Sequence, residues 1–385
     1  MTDFIPYGRQ NISQQDIDAV VAVLTSDWLT QGPAIAHFEQ AVADYCGVTY
    51  AVAVASATAA LHIACLAADL GPGDTLWTSP NTFVASANCG LYCGATVDFV
   101  DINPATYNLD VVALEAALAD SDRPPQVVVP VHFAGQSCEM AAIAPLAQRY
   151  DFTVIEDASH AIGGQYRGKP VGCCEFSDMA VFSFHPVKII TTGEGGMVLT
   201  NRQDLYEKLI RLRSHGITRD PDQMQDDSHG PWYYQQLELG FNYRMTDLQA
   251  ALGLSQMQRL PAFIERRRML ADRYADLLTG LPITLPTQHS DTASSWHLYV
   301  IRLHLDQIGC SHRQVFEALR DKGIGVNLHY IPVHTQPYYQ TLGFGWGDFP
   351  EAEQYYREAI SLPLHYGMSL DEQDYVADCL RACLS

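Results

Sequence analysis

The sequence of 385 residues predicts an α/β fold built on a mainly parallel sheet. Three observations carry that prediction. The runs VVVPVHFAGQ at 127–136 and TVIEDASHAIG at 153–163 are short, rich in valine and isoleucine, and stop abruptly at polar residues, as strands buried on both faces of a parallel sheet do. Strand-like and helix-like segments alternate over about two hundred residues, which calls for crossover connections. The stretch Ala180–Asn201 then sets an apolar run, a loop holding Lys188, the glycines Gly193, Gly195 and Gly196, and a second apolar run in succession.

Taken in order, residues 11–46 read as two helices. Ser13 caps the first, whose Ile17, Val20, Val21 and Leu24 make an apolar face; the turn LTQGP separates it from a second helix through Phe38, Val42 and Tyr45. Residues 51–74 alternate Ala and Val as a strand, after which Ser56, Ala57 and Thr58 open an alanine-rich helix ending near Gly71. Residues 75–102 give strand, loop, helix and strand, with Phe83 just after the loop. Helices are expected at 107–120 and 139–150. The segment 214–244 is polar and turn-rich, with an aromatic cluster at Trp232 to Tyr234, a length that inside a compact domain is functional or disordered. From Thr246 the chain reads as helical with a break at Pro261, and Arg266 to Arg268 as a solvated face. A strand at 294–303, a helix from His312 and a second strand through VNLHYIPV complete the pattern.

Composition sets the class. With 48% hydrophobic residues the chain buries a large core, enough for two domains. Charged residues are only 17%, which fits surface hidden in an oligomer, and the formal charge of −21 argues against nucleic acid or an anionic membrane as the main partner. The N-terminal MTDFIPYGRQ carries no signal-peptide pattern, and the alanine-rich 51–68 stretch has no interfacial anchors, so a cytoplasmic protein without a membrane span is expected. The ten cysteines match neither a CxxC pair nor a zinc-ribbon spacing, so buried free thiols are expected and no metal. No GxGxxG occurs, which removes the usual dinucleotide fingerprint.

The chemistry centres on lysine, of which there are four. Lys169, Lys208 and Lys322 lie in a turn, on a charged helix and beside an aspartate. Only Lys188 is hemmed in by apolar, hydroxyl and glycine residues, a setting that favours a neutral, nucleophilic amine able to form a Schiff base; an ordinary loop lysine reaching for water is the alternative. Asp157 falls at the carboxyl end of its strand, where open α/β sheets place ligands. It either holds a proton on a pyridine nitrogen, as pyridoxal phosphate requires, or caps a helix start. Ser56, Ala57 and Thr58 either cap their helix or offer free N–H groups and hydroxyls to a phosphate.

A phosphate cradle, an acid for a ring nitrogen and a Schiff-base lysine occur in that order. Together with LTQGP, SATAAL, GPGD, FVDI, IEDASHAIG, SFHPVK, TTGEGG, RSHGI, GFNYRMTDLQAALGLSQ and SLPLH, they make a chain that resembles the DegT/DnrJ/EryC1/StrS family of sugar aminotransferases over nearly its whole length. The resemblance implies fold type I of the pyridoxal-phosphate-dependent aminotransferases: a large domain over 1–250 with a mainly parallel seven-stranded sheet, and a smaller α+β C-terminal domain over 251–385. It makes Lys188 and Asp157 the catalytic pair. It adds Phe83 stacked on the pyridine ring, His160 near the cofactor's phenolic oxygen, and Ser183 with Ser56, Ala57 and Thr58 around the phosphate. Asn242 is then expected to reach the phosphate of a neighbouring subunit, which implies at least a homodimer with shared active sites. Glu194, Tyr234, Arg244, His329 and Tyr330, with His334 beside them, are the expected substrate contacts.

Within the family, PWYYQQLELGFNYRMTDLQAALGLSQ at 231–256 is most similar to the 4-aminotransferases of pseudaminic acid biosynthesis, which move the amino group of L-glutamate onto C4 of a UDP-linked 4-keto-6-deoxy-2-acetamido sugar. Relatives acting on perosamine-type or dTDP-linked sugars are the nearest alternative. Sugar dehydratases of the family carry histidine where this chain has Lys188, and a non-catalytic regulator of the same fold has no need of the retained residues.

Overall fold

The computed structural model describes residues 4–384. Seven strands form the central sheet: β1 (Tyr50–Val54), β2 (Thr75–Thr78), β3 (Thr96–Phe99), β4 (Val127–Val129), β5 (Thr153–Asp157), β6 (Met179–Ser183) and β7 (Gly196–Thr200). Their spatial order is β1-β7-β6-β5-β4-β2-β3. Only β7 runs antiparallel to its neighbours, so the connection from β6 back into β7 is a loop on the ligand edge, and that loop carries Lys188.

Helices cover both faces, as an all-buried parallel sheet demands. On one side α3 (Ala57–Ala67), α4 (Ala85–Tyr92) and α7 (Gln203–Arg213) pack against Val52, Val54, Val129 and Ile155. On the other, α2 (Pro33–Cys46) and α8 (Asp247–Met257) pack against Ala53, Phe182 and Met197. Helices α5 (Val111–Asp120) and α6 (Met140–Tyr150) complete the layers. All ten cysteines are free, seven of them buried.

The first helix, α1 (Gln14–Leu24), departs from expectation. Ser13 caps it as predicted, in a reciprocal capping box with Asp16. Ile17, Val21 and Leu24, however, face outward and Asp16 is its buried residue. The reason is that Asp16 accepts hydrogen bonds from Ser255 (2.6 Å), Gln256 (2.7 Å) and Arg259 (3.2 Å), so a charge-assisted polar anchor sets the helix's rotation against α8.

Helix α9 (Leu260–Leu277), with Pro261 in its first turn, links two cores. Leu260, Phe263 and Ile264 join the core of the large sheet, whereas Leu270, Ala271 and Tyr274 join a second core around a three-stranded antiparallel sheet of Ile283–Thr284, Tyr299–Leu303 and Ala359–Leu362. Helices His312–Asp321 and Leu370–Leu384 cover it. The first strand-like residues, Ile5–Pro6, pair with Ile324–Gly325, which brings the chain start across to this second core.

Two further expectations are corrected here. Arg267 is not on a solvated face: only 2% exposed, it points inward and donates to the carbonyls of Trp296 (3.0 Å), His297 (3.3 Å) and Leu364 (2.9 Å). Three carbonyls left unpaired between the two cores select a planar, many-donor cation over an apolar side chain. The predicted strand through VNLHYIPV is also absent, since after Ile324–Gly325 only a bridge from Asn327 to Ser361 forms before the chain turns irregular toward the ligand edge. Among the described residues, no helix is long and apolar enough to cross a membrane.

Candidate active site

One cavity of about 530 Å³ opens where the carboxyl ends of β1, β5 and β6 meet the irregular segment 327–330. Sequence separates its walls by more than two hundred residues; the parallel sheet brings them to one edge. Ser56, Ala57 and Thr58 come from the start of α3, Phe83 from the loop before α4, Asp157 and His160 from the end of β5, and Ser183 and Lys188 from the end of β6.

The α3 start is a built anion cradle. Ser56 caps the helix by accepting from the N–H of Ala59, which leaves the first two helical N–H groups, of Ala57 and Thr58, without intrahelical acceptors. Gly196 on β7 lies so close that a Cβ there would sit 2.5 Å from the Ala57 nitrogen, so glycine is required for the strand to pass beneath the cradle. Both expected roles of Ser56 to Thr58, cap and anion site, coexist.

Asp157 is 4% exposed. Its Oδ1 accepts from the N–H of Ser159 at 3.1 Å, the capping geometry, and its Oδ2 accepts from the hydroxyl of Ser86 at 2.6 Å. A carboxylate offers about four lone-pair positions, so it retains acceptor capacity toward the cavity. Phe83 stands 57% exposed, its ring presented to the cavity rather than packed in the core, with Tyr330 6.1 Å away.

Lys188 is half-buried, its end facing the cavity. Burial pushes its amine down to about 8, with Asp157 acting in the opposite sense. Three histidines near it are also shifted down and held neutral: burial and then Lys188 push His160 and His329 down, the latter to about 3, and burial followed by His160 does the same to His297, whereas the Lys188 amine still titrates near neutral pH. The His329 Nδ1 meets Ser361 at 2.8 Å.

The remaining predicted residues divide. Glu194 lines the cavity mouth, exposed, 3.9 Å from His185; His329 and Tyr330 form its far wall. Tyr234, Asn242 and Arg244 do not line the cavity of their own chain: Tyr234 is exposed beside Arg219, Asn242 is exposed opposite Ser214, and Arg244 bridges to Val54. His334 is not a cavity residue either, because it is fully buried against Glu353 at 3.2 Å. Sequence reading missed Ser86, Tyr7, Asn327 and His297 in the walls. For Ser86 the spacing of two hydroxyls at 82 and 86, one helical turn apart beside Phe83, is a usable signal; the other three arrive from distant segments and have none.

The donor set suits one group. Helix-start N–H groups fit a phosphate, a buried carboxylate with spare acceptor capacity fits a protonated ring nitrogen, an exposed aromatic face fits a stacked ring, and an amine of lowered basicity fits an aldehyde. Fold and site together define a pyridoxal-phosphate-dependent aminotransferase of fold type I, with no group of three metal-ligating side chains among the described residues.

A model of the DegT/DnrJ/EryC1/StrS aminotransferase family matches residues 10–381, and the chain belongs to that family. It is a sugar aminotransferase, and the family's cofactor is pyridoxal phosphate. The chain is 41% identical over 381 residues to the spore coat polysaccharide biosynthesis protein SpsC of Bacillus subtilis, covering 98% of this chain and 96% of that one. It is 38% identical over 381 residues to the UDP-4-amino-4,6-dideoxy-N-acetyl-beta-L-altrosamine transaminase of Campylobacter jejuni, covering 99% and 97%. Among solved structures it is similar to Helicobacter pylori PseC, an aminotransferase involved in the biosynthesis of pseudoaminic acid, with a TM-score of 0.90, 32% identity and 99% of each chain covered.

Proposed function

We propose that this protein transfers the amino group of L-glutamate to C4 of a UDP-linked 4-keto-6-deoxy-2-acetamido sugar, with Lys188 and Asp157 as its catalytic pair. The observation that carries the chemistry is the placing of the Lys188 amine, its basicity lowered by burial, in one cavity with Asp157 and the α3 anion cradle. Likeness to the C. jejuni transaminase and to PseC supports the sugar.

When bound, pyridoxal phosphate supplies the electron sink and carries the amino group between donor and acceptor. Ala57, Thr58 and Ser183 hold its phosphate, Phe83 backs its ring, and Asp157 keeps a proton on its ring nitrogen. Lys188 takes the proton from Cα of glutamate in the first half-reaction and delivers one to C4 of the sugar in the second. Glu194, His329 and Tyr330 surround the sugar.

A second copy completes the site. Among the described residues no arginine lines the cavity, although the cofactor phosphate, the donor carboxylates and a sugar diphosphate are all anionic. Asn242 and Arg244, outside their own cavity, then serve a neighbour's, and the uncovered face of α1 (Ile17, Val21, Leu24) supports this reading by giving apolar surface for such a dimer.

The 41% identity to SpsC favours a second reading, another nucleotide keto-sugar with the same chemistry. Following the cofactor's visible band decides between them. L-Glutamate should bleach it, and candidate UDP- and dTDP-4-keto sugars are then added. Recovery with the UDP 4-keto-6-deoxy-2-acetamido sugar alone supports the first reading, whereas recovery only with another sugar replaces the substrate. No response to glutamate overturns the donor.

A further inference from the structure

We propose that Ser86 is a positioning residue that fixes the carboxylate of Asp157 for the cofactor's ring N–H, with Thr82 setting the direction of the Ser86 hydroxyl. This rests on the role given to Asp157 above.

The geometry is a three-member chain. Asp157 Oδ2 lies 2.6 Å from Ser86 Oγ, which lies 2.7 Å from Thr82 Oγ1. An ionised carboxylate can only accept, so the Ser86 proton must point to Asp157, and Ser86 in turn accepts the proton of Thr82. All three side chains line the cavity, and none is more than 4% exposed, so water does not compete for these bonds.

On the other carboxylate oxygen the N–H of Ser159 holds the second corner at 3.1 Å. Two donors on two different oxygens fix the plane of the carboxylate and leave it further lone pairs at the cavity that it lines. Ser86 is also tied to the aromatic wall, since its N–H donates to the carbonyl of Phe83 at 3.2 Å. One turn of chain thus sets both the ring's face and the ring's charge.

The consequence is testable on the loaded protein. With pyridoxal phosphate labelled with ¹⁵N at the ring nitrogen, the wild type should give the resonance of a protonated ring. Ser86→Ala should move that resonance toward the unprotonated position, and Ser86→Thr should restore it. In single-turnover reaction with L-glutamate, Ser86→Ala should slow the step about tenfold at saturation with little change in half-saturation, the scale of one charge-assisted hydrogen bond. In an Asp157→Asn background, Ser86→Ala should have little further effect on the resonance or the rate, because the carboxylate charge that Ser86 fixes is gone.

A rate loss for Asp157→Asn with an unmoved resonance and unchanged rate for Ser86→Ala overturns the Ser86 role alone. Wild-type behaviour of Asp157→Asn overturns the Asp157 role, and the Ser86 role with it. Thr82→Val leaves Ser86 in place and should shift the resonance the same way by less, so the proposal stays testable if Ser86→Ala does not fold; an unmoved resonance in Thr82→Val overturns the direction assigned to Thr82.

Discussion

The His160 Nε2 lies 3.1 Å from the hydroxyl oxygen of Tyr330, while the backbone N–H of Ala134 donates to the other ring nitrogen, Nδ1, at 3.3 Å. A neutral ring that accepts at Nδ1 must carry its proton on Nε2, so His160 donates to Tyr330. The Tyr330 hydroxyl proton is then left for the cavity. His160, expected from the sequence beside the cofactor's phenolic oxygen, thus spends its one ring donor on Tyr330, so any action on a ligand must run through that hydroxyl.

Tyr330→Phe keeps the ring packed against Phe133 and Phe83 and removes only this donor. Turnover should fall about tenfold with the cofactor retained, the worth of one buried hydrogen bond. Steady-state kinetics alongside the cofactor's absorbance check it; an unchanged rate means that the hydroxyl meets no ligand.

Lys188→Ala should lower turnover by about 10³-fold or more, since it removes both the anchor and the proton carrier. Asp157→Ala should keep weak activity and release cofactor on dialysis. Transamination at the wild-type rate by the Lys188 variant would remove that residue from the chemistry.

The pH dependence follows from the amine of Lys188, pushed down to about 8. Only the unprotonated amine attacks an aldehyde. Capture of pyridoxal phosphate by the apo-protein should therefore speed up with rising pH below about 8 and level off above it, whereas an ordinary lysine keeps gaining to beyond pH 10 or so. Stopped-flow absorbance between about pH 6 and pH 10 distinguishes the two.

Arg267 holds three carbonyls and has no carboxylate partner among the described residues, and burial pushes its guanidinium down to about 10. Arg267→Ala orphans those carbonyls and opens a void, which should cost ~3–5 kcal/mol in denaturant unfolding. Arg267→Lys should recover only part, because an ammonium lacks the planar fork. Little loss in the alanine variant would show that water takes over the three bonds.

The proposed sharing of sites between two copies makes a complementation prediction. Lys188→Ala and Asn242→Ala chains, each weak alone, should regain about one quarter of wild-type activity when refolded together one to one, since half the dimers are mixed and each then has one intact site. No recovery on mixing would place Asn242 outside its neighbour's site.

Much of this protein is legible along the chain. Short apolar runs ending at polar residues announce a parallel sheet, and because such strands release their loops at one edge, Ser56, Asp157 and Lys188 are found together from local pattern, with Ser183 added by the family resemblance. Capping is legible for the same reason: the partners of Ser13 lie within one turn. What the sequence by itself does not determine is anything settled by a partner far along the chain. Arg267 looks like part of a solvated RRR run until three carbonyls from two other segments surround it. The apolar side of α1 reads as core until Ser255 and Gln256, some 240 residues on, claim Asp16 and turn it outward. Tyr7, Asn327 and His297 enter the site in the same way. Local propensity and periodicity act over a few residues, whereas burial and hydrogen-bond satisfaction are fixed only when the whole chain has closed.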